Sequence, residues 1–357
     1  MVAGEIQNRR RTVPDELLTS LLRDVSRSFY LTMRMLPGPV RRQISLAYLL
    51  ARTTDTIADT ELADVPTRLQ SLAALRERIL GRASGPLPLG QLGGQQGSPA
   101  ERILLERSEE SLRLLHDLDE ADRRLVRNVL DVIISGQELD LQRFGAASAD
   151  RILALETEED LNDYTYRVAG CVGEFWTKMC AAHLWPAAEP DSEALTRKGV
   201  RFGKGLQLVN ILRDLPQDLR KGRCYVPAQS LTAAGLAPRD LLSAQNEARF
   251  RPVGDQLIAL AAGHLAAGWE YIGSLPKGQV RLRLGCAWPV LIGVRTLRLL
   301  RHENMLDATR RLKVSRPEVR HLMLRSVLLY PFARAWDAQF HKELELISLP
   351  GCFKKQL

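Results

Sequence analysis

Within residues 205–227, Gln207, Asn210 and Asp214 recur at i, i+3 and i+7, so a helix through this stretch puts three polar groups on one face. Leu206, Leu208, Val209, Ile211 and Leu212 fill the positions between them. That pattern predicts a buried helix, apolar around most of its circumference, whose polar groups line an internal cavity. Asp218 extends the polar face by one turn. A second pair with the same spacing, Asp55 and Asp59, closes the apolar stripe of Leu46, Leu49 and Leu50, with Arg52 three residues before Asp55. Carboxylates are hard oxygen ligands suited to magnesium, which keeps several waters and bridges to phosphate oxygens. If the two helices face each other, the four carboxylates can hold magnesium ions and, through them, a diphosphate. Either pair taken alone reads more readily as solvated acids, with Arg213, Arg220 and Lys221 as partners for Asp214 and Asp218. Like charges at i, i+4 cost a helix about 0.2–0.5 kcal/mol, so local stability does not account for the spacing.

Such side chains need long apolar helices to hold them. Of the 357 residues, 45% are hydrophobic, with Leu and Ala frequent, and alternating strand patterns and Asn-Gly hairpin signals are scarce. The expected fold is all-α, a single large helical domain with a central apolar cavity. The length admits two domains, but residues 1–357 are read as one because both Asp motifs must meet in one site. Pro37-Gly38-Pro39 breaks the chain before the helix carrying Asp55. Helical periodicity covers 69–79, 101–143, 257–272 and 284–300, with Pro289 interrupting the last of these. Gly136, Gln137 and Asp140 read either as a solvated face or as a cavity rim. Residues 85–98, rich in Gly, Pro, Gln and Ser, are expected to form a flexible surface loop, and 1–14 and 348–357 flexible termini. Pro216 is expected to kink or restart its helix, displacing Asp218 and leaving Asp214 the better-placed ligand. In the stretch 164–173, aromatic hydroxyls accompany Ala169, Gly170 and Gly173, small enough for close approach of a helix or an apolar chain. A Tyr hydroxyl at the end of an apolar cavity can relay a proton or orient a cation.

A net charge of +8 and a pI near 9.4 favour anionic company: diphosphates, anionic lipid headgroups or nucleic acid. The charge is dispersed apart from Arg9 to Arg11, and no zinc-finger or RNA-recognition signature occurs, which argues against nucleic acid. Five widely spaced Cys without a Cys-x-x-Cys pair support neither a disulfide framework nor a zinc site; reduced thiols in the cytoplasm are expected. No apolar run approaches the roughly 18 residues of a spanning helix, and the basic N-terminus lacks a signal-peptide core. The expectation is a cytoplasmic protein, in peripheral contact with the inner face of the membrane at most, with no partner protein indicated.

Four separated stretches, SRSF at 26–29, DTIAD at 55–59, YTYRVAGCVG at 164–173 and QLVNILRDLPQD at 207–218, together resemble the squalene and phytoene synthase family, in the family's order. The resemblance runs from about Leu21 to about Leu322. It implies an isoprenoid-synthase fold with Mg2+ held by Asp55, Asp59, Asp214 and Asp218. It implies a diphosphate bound by Ser26, Arg27, Arg52, Gln207, Asn210, Arg213, Arg223 and Tyr225, although on the residues alone 26–29 reads equally as a Ser-rich turn. Tyr164 matches the catalytic Tyr of bacterial carotenoid-type members, whereas eukaryotic squalene synthases have a Tyr at the position of Arg167. The basic stretch 310–319 is similar to the segment near the nicotinamide nucleotide in reductive members, with Lys313 and Arg316 as the implied NADPH contacts; it also reads as an ordinary basic turn before a helix beginning at Pro317. The implied activity joins two farnesyl diphosphates head to head into presqualene diphosphate, which NADPH then reduces to squalene. Dehydrosqualene, hydroxysqualene and phytoene synthases share the metal chemistry, and a non-catalytic helical scaffold for acidic partners is the reading from another class.

Overall fold

Apolar residues returning every three to four positions make most of the described chain helical, with two short strands beside the helices. The computed structural model describes residues 16–347 apart from 27–28, 88, 90–91, 93–97 and 186–191. The chain is all-α, as its composition and periodicity predict. It divides into two compact units, Met1–Gly145 with Phe175–Ala188, and Ala146–Glu174 with Glu189–Leu357.

The first unit opens with a π-helical turn, Leu17–Leu21, running into α1 (Leu22–Ser26), then α2 (Phe29–Met35), α3 (Gly38–Asp59), α4 (Val65–Leu80), α5 (Pro99–Glu106), α6 (Ser108–His116) and α7 (Glu120–Phe144). Extended backbone at Pro37 and a proline in the first turn start α3, as the Pro-Gly-Pro break predicts. Val40, Leu46, Leu49, Leu50 and Ile57 of α3 are fully buried, and α3 packs on α4, α6 and α7. Thr53, Thr54 and Thr56 are buried too; each hydroxyl donates back to a carbonyl of its own helix, at 3.0, 2.7 and 2.9 Å, so polar side chains enter the core without unmet hydrogen bonds. At the C-terminus of α3, Arg68 Nη1 donates to the Ala58 carbonyl at 2.9 Å. Arg76 of α4 reaches both Asp131 (2.7 Å) and Glu138 (2.9 Å) of α7, fixing α7 alongside. The periodic stretch 101–143 resolves into α5, α6 and α7, the last capped by Asp119, whose carboxylate accepts from the Asp122 amide at 2.9 Å. In the 85–98 stretch, Leu89 and Leu92 are buried and the Leu87 amide donates to Glu109 at 3.2 Å, so leucines set among Gly and Pro reach the core. Residues 88, 90–91 and 93–97 of that stretch, and the termini 1–14 and 348–357, lie outside the described residues.

The second unit contains β1 (Leu153–Ala154), α8 (Glu158–Thr165), a π-helical turn at Tyr166–Gly170, α9 (Cys171–Leu184), α10 (Ser192–Arg220), β2 (Arg223–Cys224), α11 (Ala228–Ala233), α12 (Glu247–Ser274), α13 (Val280–His302), α14 (Arg316–Leu329) and α15 (Ala333–Glu345). From Phe175 onward α9 belongs to the first unit. Leu208, Ile211, Leu212, Leu215 and Leu219 of α10 are buried, and the helix packs most extensively on α12. Two close backbone approaches set its position. A Cβ on Gly173 would stand 1.9 Å from the Gly199 carbonyl oxygen, and one on Gly203 would stand 2.2 Å from that of Ala169. Only glycine fits at these places.

Of the expectation that Pro216 kinks or restarts its helix, the restart is corrected: α10 runs unbroken through it to Arg220. The missing N–H removes one backbone bond a single turn before the helix ends, and the buried Leu215 and Leu219 on either side hold the helical path. Likewise α13 passes through Pro289 without interruption, flanked by the buried Trp288 and Val290. Cys171, Cys180, Cys224 and Cys286 are buried free thiols. Among the described residues no helix is long and apolar enough to cross a membrane.

Candidate active site

In the first unit the predicted residues gather at the last turns of α3. Asp55 and Asp59 lie one turn apart, and Gln137 of α7 donates from Nε2 to Asp55 Oδ1 at 2.5 Å. Arg52 stands 3.8 Å from Asp55 while its Nη2 is bound to Glu101 of α5 at 2.6 Å, so Glu101 aims the guanidinium. Although the Asp55 side chain keeps 46% of its surface open, protein atoms crowd the carboxyl closely. Burial, and then the charge on Asp59, raise its pKa to about 6 against the pull of Arg52 and Gln137. Among the described residues Gln137 Oε1 is buried with no hydrogen-bond partner, and so is the hydroxyl of Ser26 at the end of α1. Arg27 lies outside the described residues. Gln137 is buried, which sets aside the solvated-face reading for this residue.

The donor chemistry fits a divalent cation. Two carboxylates one turn apart repel each other, Asp55 has little positive charge close to it, and a cation between the two would relieve both. Among the described residues no three His, Cys, Asp or Glu side chains group tightly enough to cage a metal alone. Magnesium does not require such a cage, since it keeps waters and takes phosphate oxygens alongside one or two carboxylates.

In the second unit Asp214 has the opposite surroundings. Arg213 grips it through two nitrogens, at 3.1 and 2.5 Å, and Arg311 adds a third bond at 3.0 Å to Oδ1. Burial pushes its pKa upward, but the two guanidiniums outweigh burial and hold the carboxyl below its ordinary value. Gln207 and Asn210 are half-buried on the preceding turns of α10, and Asp218 follows on the last. Gly222, at φ 78°, makes the tight turn out of α10, where a Cβ would meet Ser148 O at 2.4 Å. That turn delivers Arg223 and Cys224 to a parallel pairing with Leu153 and Ala154, anchored by Leu153 N to Gly222 O at 2.8 Å. Tyr225, next along, stacks on Tyr164 with ring centroids 4.6 Å apart and planes at 24°. The structure thus joins two predicted Tyr residues into one aromatic platform. Just beyond Tyr164 comes the π-helical turn, a rare backbone form that recurs at functional sites. Arg167 Nε within it donates to both carboxylate oxygens of Asp163, at 3.0 and 2.8 Å.

Lys313 and Arg316 are exposed and make no ion pair among the described residues. Their neighbour Arg311, which sequence reasoning passed over inside the same basic stretch, is the residue that reaches Asp214. Glu101 was also missed; its only sequence signal was an acid in the first turn of a helix.

The chain is all-α and carries an aspartate pair in the last turns of each of two long helices, α3 and α10. The squalene/phytoene synthase family profile matches residues 22–318, and the chain belongs to that family. Its curated relatives include the bifunctional lycopene cyclase/phytoene synthase of Pyrenophora tritici-repentis, 28% identical over 75% of this chain and 44% of that one, so the chain spans less than half of that relative. They also include the presqualene diphosphate synthase of Zymomonas mobilis, 30% identical over 71% of this chain and 74% of that one. Among solved structures, a ligand complex of TcSQS shares the fold with a TM-score of 0.69 at 21% identity, covering 94% of this chain and 96% of that one.

Proposed function

We propose that the chain joins two farnesyl diphosphates head to head into presqualene diphosphate and, with NADPH, reduces that product to squalene. The observation that carries the first step is Asp55, a crowded carboxylate beside a second acid with too little positive charge around it. The 30% identical presqualene diphosphate synthase supports the same step. Asp55 and Asp59 in one unit, and Asp214 and Asp218 in the other, are the proposed magnesium ligands. Magnesium, when bound, stabilises the negative charge that develops on the departing diphosphate.

The protein's own groups divide the remaining work. Arg52, Arg213, Arg223 and Tyr225 hold diphosphate oxygens, forked guanidiniums suiting phosphate geometry. Ser26, Arg27, Gln207 and Asn210 add neutral and charged donors. Apolar side chains exclude water, so the allylic cation meets the second prenyl chain rather than being hydrolysed. Tyr164 Oη orients that cation and relays the proton lost as the cyclopropane ring closes; its stack with Tyr225 fixes the ring. Lys313 and Arg316 are the proposed contacts for nucleotide phosphates. The proposed location is the cytoplasm, in peripheral contact with the inner face of the membrane at most.

Incubation of the purified protein with farnesyl diphosphate and magnesium, with and without NADPH, tests this directly. Squalene with NADPH and presqualene diphosphate without it are expected. The same hydrocarbon or alcohol in both reactions would replace the squalene reading with dehydrosqualene or hydroxysqualene synthase. Phytoene synthases among the relatives give the second reading its support, and turnover confined to geranylgeranyl diphosphate would establish it.

A further inference from the structure

Large apolar side chains stand in solvent together at one place in the second unit. On α14, Leu324 is 60% exposed, Val327 46% and Leu328 63%, and Phe332 in the turn before α15 is 64% exposed. The inner side of α14 is fixed, with Leu322 and Ser326 buried and Ser326 Oγ accepting from Trp288 Nε1 at 2.9 Å. The turn is fixed as well. Tyr330 Oη donates to the Lys277 carbonyl at 2.8 Å, and the Tyr330 ring meets Trp336 edge-on at 5.1 Å. The apolar face is therefore held outward by a well-packed scaffold.

Basic residues share that face. Helical spacing sets Arg320 one turn before Leu324 and puts Arg325 on its flank. Both are exposed, as is Arg334 at the start of α15, and none has an acidic partner among the described residues. Nearby Glu318 is committed to the capping box of α14, where it accepts from Ser315 Oγ at 2.6 Å.

We propose that this face docks on an anionic lipid surface, with Leu324, Val327, Leu328 and Phe332 entering the headgroup–acyl boundary and Arg320 and Arg325 meeting lipid phosphates. Charge selects the occupant. Pairing with a second copy through the same patch sets arginines against their own kind, whereas lipid phosphate supplies the counterions the patch lacks. A net charge of +8 acts in the same direction at longer range. The inference deepens the proposed function only in that its squalene product partitions into lipid.

Flotation of the full chain with vesicles, without substrate, is the test. Binding to phosphatidylcholine vesicles containing phosphatidylglycerol, absent with phosphatidylcholine alone and weakened by salt, is expected. The Arg320→Ala/Arg325→Ala variant is expected to lower partitioning about tenfold. The Leu324→Ser/Leu328→Ser/Phe332→Ser variant is expected to abolish it, with melting temperature and turnover of dispersed farnesyl diphosphate unchanged. Vesicle binding by the triple-Ser variant equal to wild type would overturn the proposal. So would a wild-type chain that ignores anionic vesicles, including one that instead dimerises or captures an acidic protein through these leucines. Because binding is read without substrate, absent turnover with intact binding counts only against the proposed reaction.

Discussion

The two aspartate pairs share a spacing and differ in almost everything around it. Asp214 is surrounded by its own counterions, Arg213 and Arg311, and is held ionised. Asp55 has a guanidinium only at 3.8 Å, one amide donor and a like charge one turn away, and burial with that charge lifts its pKa to about 6. A motif that looks twofold in sequence therefore contains one carboxylate neutralised by the protein and one left with little positive charge around it, which is the proposed ligand of a cation from outside. Asp55→Asn and Asp214→Asn should consequently fail in different ways.

The largest effect is expected on turnover. Asp55→Asn keeps the shape of the side chain and removes the charge that holds the metal, so activity should fall by about 10²–10³-fold or more. In magnesium-free buffer the same variant should melt no lower than wild type, because the crowded charge is gone. Near-normal product formation at limiting magnesium would remove Asp55 from the site.

Next is stability at Asp214. Asp214→Asn leaves two guanidiniums without their shared partner, and a loss of about 1–3 kcal/mol is expected in urea unfolding. Arg311→Ala should reproduce part of that loss, since it breaks one of the three bonds. If Asp214→Asn is as stable as wild type while Asp55→Asn is not, the comparison is reversed.

The pH dependence carries the same contrast with opposite signs. A carboxyl whose folded pKa rises from 3.8 to about 6 binds more protons folded than unfolded across that window, so metal-free stability falls as pH rises from about 4 to 6. Asp214, with its folded pKa lowered from 3.8, contributes stability present above 3.8 and lost as pH falls through its folded value. Urea titrations should show the falling limb in wild type and not in Asp55→Asn, and magnesium should flatten it by binding the folded state.

The smallest effect is reserved for Asp218→Asn, about tenfold or less on turnover, since Asp214 on the preceding turn retains its charge and its arginines. A loss as deep as that of Asp55→Asn would show that the last turn of α10, which continues through Pro216, presents Asp218 as a full ligand.

Local pattern made much of this legible. Helical periodicity announced the all-α fold, and the i, i+3, i+7 spacing announced the polar face of α10. What periodicity cannot carry is which distant groups meet. Arg311 reaches Asp214 across 97 positions, Gln137 reaches Asp55 across 82, and Arg52 leans on Glu101 across 49. Tyr164 and Tyr225 were each marked by sequence, but their stacking depends on the turn at Gly222 and the pairing of β1 with β2. The restart expected at Pro216 does not occur, because a local rule against proline in helices gave way to the burial of Leu215 and Leu219. Leu89 and Leu92 were hidden by the Gly-rich composition of their neighbours.

Calorimetric titration of inorganic diphosphate into wild-type and Asp55→Asn protein, with and without magnesium, bears most directly on the claim that Asp55 is the carboxylate needing an external cation. Wild type should bind diphosphate at least tenfold more tightly with magnesium than without, about 1.4 kcal/mol, and Asp55→Asn should lose that difference while keeping the weak metal-free binding supplied by the arginines. Equal enhancement by magnesium in the two proteins would contradict it.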